Sequence, residues 1–549
     1  MGKKVVIVGG VAGGASAAAR LRRLDESAEI IMLERGADIS FANCGLPYYV
    51  GGVIPERQSL LVQTPAAMRS RFNIDVRTLN EVVAIIPEQK RVVINDLSQG
   101  TEYQESYDYL MLCPGAAPII PDLPGIEGEN VFVVRNIPDS DRIKQYVEKN
   151  RSSQVVVLGG GFIGLEMAEM MLERGLKVAL VEASSQVMGS LDPEMASILH
   201  ATLRQAGVNL RLGNRVTALD GSPNVTTVML DNGERLAADL IILGAGVRPE
   251  SKLAREAGLT VGERGGIKVN EFMQTSDPWI YAAGDAVEVK DLISGEEMQL
   301  SMASPANRQG WIAANNIAGI PTSYNGVQGT AILRFRHTVV AATGRNEKSL
   351  QRQGIPHLIV HTHPSSHATY YPGASQMTIK LLFAPGDGRI LGAQIVGQEG
   401  VDKRIDVLAT AVRNRLTVHD LQELELAYAP PFSSAKDPVN MTAYAASNIL
   451  QGLVEVVYWP QVKEKQKAGA LLLDARTRGE FERGAVPGAV NIPVDDLRQR
   501  MDELPKDREI MVYCGVGLRS YIANRILCQN GFPAKNISGG YRLYQFMQE

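Results

Sequence analysis

The chain has 549 residues, which is more than one hydrophobic core can serve, so three or four domains are expected. Its net charge of -4 and its 45% hydrophobic and 21% charged residues are ordinary for a globular protein, and they give no reason to expect nucleic-acid or membrane binding. No segment approaches the roughly 18 consecutive apolar residues of a membrane helix, and no signal peptide is recognised. The 4 scattered cysteines do not form a disulfide framework and indicate a cytoplasmic protein.

The N-terminal segment predicts a dinucleotide-binding unit. An apolar strand from Lys4 to Val8 ends in a glycine cluster, and an alanine-rich helix and a second strand ending at Glu34 follow. Amides at such a helix start hold a pyrophosphate, and the acid accepts from a ribose hydroxyl. Val11 replaces the middle glycine of the G-x-G-x-x-G pattern. The candidate cofactor ligands are Gly9, Gly10, Val11, Ala12, Gly14, Glu34 and Arg35.

A second unit of the same kind begins about 150 residues later. The strand 154–158 runs into a complete G-x-G-x-x-G pattern, and the strand 177–181 ends at Glu182. An acid at this position suits the free 2′-hydroxyl of NADH and repels the 2′-phosphate of NADPH, so NADH is favoured over NADPH. The candidate ligands here are Gly159, Gly161, Phe162, Ile163, Gly164 and Glu182.

Two dinucleotide folds in one chain indicate a flavoprotein with FAD in the first fold and NADH in the second. Residues 275–286 resemble the segment by which the pyridine nucleotide–disulfide reductase superfamily places an aspartate on the FAD ribitol, which makes Asp285 a cofactor ligand. The resemblance covers roughly residues 3–445. It implies an α/β fold with two Rossmann-like domains and an α+β dimerisation domain. The predicted ranges are 1–115 and 245–325 for FAD, 116–244 for NAD(P)H, 326–447 for dimerisation and 448–466 for a linker.

One reactive cysteine, Cys44, decides the subfamily. Most members of the superfamily carry a C-x4-C pair, but Tyr49 stands where the second cysteine of such a pair would fall and Ile39 where the first would fall. The segment Ser40 to Pro47 closely resembles coenzyme A–disulfide reductases and NADH-dependent persulfide reductases. A buried structural thiol is the alternative for Cys44.

The resemblance also implies tyrosines that act across a homodimer. Tyr428 stands where glutathione-reductase-like enzymes carry a catalytic histidine, and Tyr370 is the second candidate. A phenol can donate to a leaving thiolate. The alternative is that both tyrosines simply pack the dimer interface.

Coenzyme A is an anionic substrate, and the family binds its phosphates with arginines of the first helix. The helix carries Arg20, Arg22 and Arg23, although three arginines on a helix are more often a solvated face. The candidate substrate-binding residues are Arg20, Arg23, Ser40, Asn43 and Arg71. Phe162 is a candidate gate for the nicotinamide, with ordinary packing as the alternative.

The C-terminal residues 467–549 closely resemble a rhodanese domain of α/β type. The strand 509–513 delivers Cys514 to a six-residue loop that ends at Arg519, and converging amides with this arginine favour a thiolate. Cys514 and Arg519 are therefore the catalytic candidates. Cys113 and Cys528 are interpreted as structural core residues.

These features predict an NADH-driven, FAD-dependent reduction of coenzyme A disulfide, persulfide or polysulfide through Cys44, with sulfane sulfur handled at Cys514. No metal site is predicted. Two alternatives remain open. One is an NADH oxidase or peroxidase that uses a cysteine sulfenate, which the absence of histidine between Leu33 and Ile39 disfavours. The other is a regulatory module in which the rhodanese domain only docks or senses sulfur.

Overall fold

The computed structural model describes residues 2–150 and 152–548. The chain divides into two compact units, Met1–Ser185 with Gly207–Val327 and Gln186–Ala206 with Gln328–Glu549. Among the described residues, every helix falls short of the length and apolarity that a bilayer crossing requires.

The first unit opens with a Rossmann-type arrangement. Its first elements are β1 Lys4–Val8, α1 Ala12–Leu24, β2 Glu29–Glu34, α2 Leu46–Gly51, α3 Pro65–Phe72, β3 Asp75–Thr78, β4 Asn80–Ile86, β5 Arg91–Asp96, β6 Thr101–Ser106, β7 Tyr109–Leu112 and β8 Ala116–Pro118. Strand β1 pairs in parallel with β2 and β7, and its residues Val5 to Ile7 are fully buried. Strands buried on both faces carry such continuous apolar runs. Strands β4, β5 and β6 form a separate antiparallel sheet.

A second parallel sheet follows in the chain. The elements are β9 Val131–Val133, α4 Ile137–Asn150, β10 Gln154–Leu158, α5 Phe162–Glu173, β11 Lys177–Glu182, α6 Pro193–Gln205, β12 Asn209–Leu212, β13 Val216–Asp220, β14 Thr227–Leu230, β15 Arg235–Ala237 and β16 Leu240–Leu243. The strand order is β12-β11-β10-β16-β9, with every pairing parallel. Helix α6 belongs to the second unit.

The chain then returns to the first sheet. The elements are β17 Val247–Pro249, α7 Lys252–Glu256, β18 Ile267–Lys268, β19 Ile280–Ala282, β20 Val287–Lys290, β21 Glu297–Gln299 and α8 Ala303–Ile317. Strand β19 completes the order β19-β7-β1-β2-β3. Helices α1 and α8 pack so closely that a Cβ on Gly310 would lie 2.2 Å from the carbonyl oxygen of Gly13. Glycine is therefore required at this crossing.

The second unit contains an antiparallel sheet covered by helices. Its elements are β22 Ala331–Phe335, β23 Thr338–Gly344, α9 Glu347–Arg352, β24 Leu358–Thr362, β25 Thr378–Phe383, β26 Ile390–Gly397, α10 Val401–Arg413, α11 Val418–Glu423 and α12 Pro438–Leu450. The strand order is β22-β23-β26-β25-β24. A fully buried ammonium, that of Lys380, lies 2.9 Å from Asp192 and 2.7 Å from Glu347 and also contacts Glu194. These contacts join α6 and α9 to the sheet.

A smaller parallel sheet ends the chain. Its elements are β27 Val456–Val457, α13 Trp459–Lys467, β28 Leu471–Asp474, α14 Arg478–Glu482, β29 Ala489–Asn491, α15 Leu497–Arg500, β30 Ile510–Tyr513, α16 Leu518–Gln529, β31 Ala534–Ile537 and α17 Gly540–Gln548. The strand order is β27-β31-β30-β28-β29. Its turn before α17 contacts β24 of the same unit, because His361 Nδ1 lies 2.9 Å from Ser538 Oγ.

Two details of this region correct the sequence-based predictions. The segment 448–466 contains the end of α12, the strand β27 and most of α13, so it is not a free linker. Strand β27 pairs with β31, and Trp459 is buried with its indole N–H 2.9 Å from the Gly540 carbonyl oxygen. Cys528, predicted in the core, is exposed on α16.

Candidate active site

The turn after β1 forms a cradle for a diphosphate. Gly9 has φ +94°, and a Cβ on Gly14 would lie 1.9 Å from the Gly9 carbonyl oxygen, so the turn and the helix approach closely. Helix α1 begins without a side-chain cap or an acidic residue in its first turn. Its first amides are thus available to an anion. This arrangement fits the diphosphate of FAD despite Val11 at the N-cap.

The acid at the end of β2 is held for a ribose. Glu34 accepts hydrogen bonds from the amides of Gly10 at 2.9 Å and Gly36 at 2.8 Å. Arg35, the other cofactor candidate at this strand end, forms an ion pair with Glu250 at 2.8 Å. Arg35 is therefore held by a carboxylate of the same unit.

The turn after β10 repeats this geometry. Glu182 accepts from the amides of Gly160 and Ser184, both at 2.7 Å, and α5 begins without a side-chain cap. A Cβ on Gly161 would meet no atom within 4 Å, which leaves space in front of the helix amides. The site fits the diphosphate of a nicotinamide dinucleotide. Phe162, the first residue of α5, is 37% exposed beside this space.

Cys44 lies in a short 3₁₀ turn, Asn43–Gly45, immediately before α2, and it is exposed. Desolvation by the surrounding protein raises the pKa of its thiol, and the carboxylates of Glu166 on α5 and Asp285 after β19 raise it further. Two segments that are distant from Cys44 in sequence therefore place acidic groups around its thiol.

The two carboxyl groups are themselves perturbed. Burial raises the pKa of Glu166 to about 7, although Tyr48 donates to it at 3.2 Å and works against this shift. Burial also raises the pKa of Asp285 to about 6. Both groups titrate near neutrality, where a proton can be taken up or released beside Cys44.

The loop that carries Cys44 is tied to the flavin turn. Ser40 has φ +45°, its amide donates to the Gly10 carbonyl oxygen at 2.8 Å, and its own carbonyl accepts from Val62 at 2.9 Å. Asn43 is exposed next to Cys44. The strained Ser40 residue thus holds the cysteine loop against the turn that follows β1.

The arginines of α1 have different environments. Arg22 is buried and donates to backbone carbonyls, including that of Phe72 at 2.8 Å, which makes it structural. Arg20 is half-buried, with its guanidinium 4.6 Å from the Trp311 ring centroid. Arg23 and Arg71 are exposed. An anionic ligand could therefore reach the side chains of Arg20, Arg23 and Arg71, but not that of Arg22.

In the second unit, the two predicted tyrosines meet each other. The hydroxyls of Tyr370 and Tyr428 are 2.7 Å apart, and the side chains are 74% and 46% exposed. The hydrogen bond between the two hydroxyls raises the pKa of Tyr370. Residues 58 positions apart thus present one pair of phenols at a surface.

A buried arginine that the sequence analysis missed holds both tyrosine segments. The Arg404 guanidinium on α10 donates to Ser366 at 2.9 Å, to Ser433 at 3.1 Å and to Asp437 at 2.9 Å. Burial works against ionisation of Asp437, but hydrogen bonds from Ser433, Val439 and Arg404 hold its pKa below the usual range. Breaking such a buried pair is costly because the remaining charge is left without its partner.

The C-terminal sheet presents a separate cysteine. Cys514 follows β30, is fully buried and accepts from the Gly517 amide at 3.1 Å. Arg519, expected to face this sulfur, forms a bidentate ion pair with Glu480 at 2.6 and 2.7 Å.

Burial raises the pKa of Cys113 in the first unit to about 12, which keeps that thiol protonated.

Comparison with known families assigns three stretches of the chain. Residues 3–310 match the pyridine nucleotide-disulphide oxidoreductase family, 330–438 match its dimerisation domain and 459–546 match the rhodanese-like domain. The chain belongs to the pyridine nucleotide-disulphide oxidoreductase family. The predicted α/β class with a dimerisation domain and a C-terminal rhodanese domain is confirmed.

Several relatives of this oxidoreductase are known. The crystal structure of reduced Bacillus anthracis CoADR-RHD is 50% identical, covers 100% of this chain and 98% of its own, and has a TM-score of 0.98. An NAD-dependent persulfide reductase from A. fulgidus is 38% identical, covers 98% and 100%, and has a TM-score of 0.93. A coenzyme A disulfide reductase of Staphylococcus aureus is 36% identical over 81% of this chain and 99% of its own. A Methanocaldococcus jannaschii NADH oxidase is 35% identical over 80% and 98%.

The sequence motifs of this oxidoreductase identified the residues that lie at strand ends, but not Glu166, Arg404 or Glu480. Glu166 stands two residues after the last glycine of the second glycine motif, and this spacing was the available signal. Arg404 and Glu480 act through partners more than 25 residues away, so they needed the tertiary structure.

Proposed function

We propose that this oxidoreductase uses NADH and FAD to reduce the sulfur–sulfur bond of coenzyme A disulfide or coenzyme A persulfide at Cys44. The observation that carries the proposal is the exposed Cys44 with Glu166 and Asp285 beside it and with no second cysteine to form an internal disulfide. A lone thiolate must form its mixed disulfide with the substrate itself. The names of the relatives supply the substrate class.

The chain's own residues would act as follows. The Cys44 thiolate attacks one sulfur of the substrate, and a coenzyme A thiolate leaves. When bound, FAD would supply two electrons, received from NADH, to reduce the sulfur–sulfur bond formed at Cys44. That bond is a mixed disulfide when the substrate is coenzyme A disulfide and a persulfide when it is coenzyme A persulfide. Glu166 and Asp285 titrate close to neutrality and can exchange protons with Cys44 and the leaving thiolate.

The enzyme would work as a homodimer in the cytoplasm. The dimerisation domain and the exposed Tyr370 and Tyr428 pair support a role for these phenols at the Cys44 site of a partner subunit. The 4 free cysteines suit a reducing compartment. Glu182 at the end of β11 supports NADH rather than NADPH, and Arg20, Arg23 and Arg71 are the proposed contacts for coenzyme A phosphates.

The rhodanese domain would supply sulfur to this reaction. Cys514 is proposed to take up sulfane sulfur and pass it to coenzyme A, whose persulfide is then reduced at Cys44. The Gly517 amide, 3.1 Å from the Cys514 sulfur, supports the binding of a persulfide at this position.

The proposal is tested by trapping the intermediate. Reduced protein is mixed anaerobically with coenzyme A disulfide, quenched with acid and examined by peptide mass spectrometry. One coenzyme A adduct on the Cys44 peptide is expected, also in the Cys528→Ser control and not in Cys44→Ser. Absence of the adduct, together with a sulfenate at Cys44 after peroxide, would favour the second candidate, an NADH oxidase or peroxidase like the M. jannaschii relative.

A further inference from the structure

Helix α17 of the C-terminal domain packs against α6 and borders a cavity of about 190 Å³. The walls come from α6, from the ends of strands β23, β25 and β26, and from α17 itself. They include Gln205 on α6, Gln398 after β26, and Arg542 and Phe546 on α17. None of the described residues that line the cavity carries a carboxylate, so its one arginine faces polar and apolar groups only.

The Arg542 side chain has no counter-ion among the residues that the structure describes. Its backbone amide donates to the Gly515 carbonyl oxygen at 3.0 Å, but its side-chain Nε is buried and no described protein group accepts from it. The guanidinium carbon lies 5.6 Å from the centroid of the Phe546 ring, which lines the same cavity. A buried N–H without an acceptor is rare in folded proteins and indicates an acceptor that the chain itself does not supply.

The charge of this guanidinium is not compensated nearby. Burial lowers the pKa of Arg542, and no carboxylate of the described residues opposes the shift. Burial also lowers the pKa of the nearby His363 to about 3, and the Arg542 charge adds to that shift. Arginine still remains protonated at neutral pH, so this wall of the cavity is positively charged. An anion bound beside Arg542 would offset the cost of burying its charge.

The size and the donors of the cavity define the kind of anion that fits. Drug-sized ligands occupy about 300–1,000 Å³, so this smaller space suits a small ion rather than a nucleotide. The planar fork of a guanidinium matches the oxygens of phosphate-like groups. Gln205 and Gln398 are exposed at the cavity, where their amide groups can turn N–H bonds towards an anion.

We propose that this cavity binds a small tetrahedral oxyanion, represented by free inorganic phosphate, with Arg542 as its main contact and Gln205 and Gln398 as further donors. The bound anion connects α17 of the C-terminal domain to α6 and to the end of β26 in the dimerisation domain. The site is separate from the chemistry proposed for Cys44 and does not depend on it.

The anion would stabilise the start of α17, which carries the contacts to the Cys514 loop. The amides of Tyr541 and Arg542 donate to the carbonyl oxygens of Cys514 and Gly515 at 2.7 and 3.0 Å. A ligand that binds the closed arrangement and not the opened one reduces local opening by a factor of one plus the ratio of its concentration to Kd. Amide exchange in α17 therefore reports binding at this cavity.

The test is hydrogen–deuterium exchange of the full-length protein, followed by mass spectrometry of peptides that cover residues 540–548. Exchange is compared in phosphate and in chloride at equal ionic strength. Phosphate should slow exchange in these peptides at least about threefold in the wild type. Arg542→Met should abolish the difference, and the exposed Arg498→Met of the same domain should keep it.

Equal exchange of wild-type α17 in phosphate and chloride would overturn the proposal. Protection that survives in Arg542→Met would also overturn it, because phosphate stabilises folded proteins generally through exclusion from their surfaces. Coenzyme A, which carries its phosphates on a nucleotide, should leave α17 unprotected. Protection by coenzyme A and not by phosphate would contradict a site for a free anion.

A second measurement needs no variant. Wild-type crystals grown without phosphate or sulfate and soaked in selenate should show anomalous scattering from selenium beside the Arg542 guanidinium. Absence of selenium at this cavity would overturn the proposal.

Discussion

Burial is the main cause of the raised pKa of the Cys44 thiol, and the Glu166 carboxylate raises it further. Glu166→Gln removes this charge, so the pH at which Cys44 becomes a thiolate should fall. The pH dependence of iodoacetamide alkylation at Cys44 in dithiothreitol-reduced protein measures the change. Glu173→Gln, at the exposed end of the same helix, is the control.

An alkylation midpoint that does not move in Glu166→Gln would contradict this role.

The residues at this site differ in how local the sequence pattern is that predicts them. Gly9, Glu34 and Glu182 follow from a strand, a turn and an acid within a few dozen residues, so the sequence was sufficient to predict their places in the fold. Glu166 has no such local signal, because its pKa of about 7 follows from burial, and burial depends on α2 packing against α5.

At the scale of elements, α10 positions both tyrosine segments through Arg404. Arg404→Met removes the closer of the two cations beside the buried Asp437 and leaves Lys403 at 3.6 Å. It also releases the segments of Ser366 and Ser433. We expect a loss of about 3–5 kcal/mol in the free energy of unfolding. Turnover with the disulfide substrate should fall, whereas reduction of bound flavin by NADH in stopped flow should remain unchanged.

The control for this variant is Asp406→Asn, an exposed position on the same helix. Normal turnover and stability in Arg404→Met would contradict the positioning role. A slower flavin reduction would show that the substitution disturbs the first unit, and it would contradict the expected separation of the two effects.

The contact between β24 and the turn before α17 should depend on pH. His363 Nε2 donates to the Gly539 carbonyl oxygen at 2.8 Å, so its Nδ1 accepts from Thr378 at 3.0 Å and the ring is neutral. Burial lowers the pKa of His363 to about 3. Because the unfolded chain binds this proton below about pH 6.5 and the folded chain does not, stability should fall as the pH drops from about 6.5 towards 3.

Because of this histidine, the free energy of unfolding should be about 2 kcal/mol lower at pH 5 than at pH 7. The measurement is denaturant unfolding at both pH values, with His363→Gln expected to show a smaller difference than the wild type. His419→Gln, an exposed histidine of the same unit, should behave like the wild type. An identical pH difference in His363→Gln would contradict the assignment of the neutral ring.

The sequence failed at the element scale where a strand was only two residues long. Strand β27 has no periodicity that a pattern could reveal, and the lysines after Trp459 looked like a solvated linker. In the structure those lysines lie on the outer side of α13, while Trp459 and Val462 are buried. Tertiary packing, not composition, decides that this segment belongs to the rhodanese domain.

At the scale of the whole molecule, the domain boundary can be tested directly. A fragment of residues 454–549 keeps β27 and Trp459, whose ring lies 4.8 Å from that of Tyr544, whereas a fragment of 467–549 loses both. We expect a cooperative thermal transition by circular dichroism for the longer fragment and none for the shorter one. Loss of a buried tryptophan costs about 3–5 kcal/mol, a large part of the stability of a small domain.

Equal transitions in both fragments would place the boundary after α13 and contradict the structure-based assignment.

The order of domains along the chain was predictable because each carries a local motif: two glycine-rich turns, the tyrosine segment and the Cys514 loop. The way β19 returns to the sheet of β1 was predictable only through the family resemblance, because no local pattern pairs strands 170 residues apart.

The central claim is that Cys44 reduces coenzyme A–sulfur bonds, and anaerobic NADH oxidation tests it most directly. Coenzyme A disulfide, coenzyme A persulfide and peroxide are compared for the wild type, Cys44→Ser and the exposed control Cys528→Ser. We predict turnover with a coenzyme A species that falls at least about thousandfold in Cys44→Ser and is unchanged in Cys528→Ser. Turnover with peroxide alone, or turnover with coenzyme A disulfide that survives in Cys44→Ser, would contradict the account.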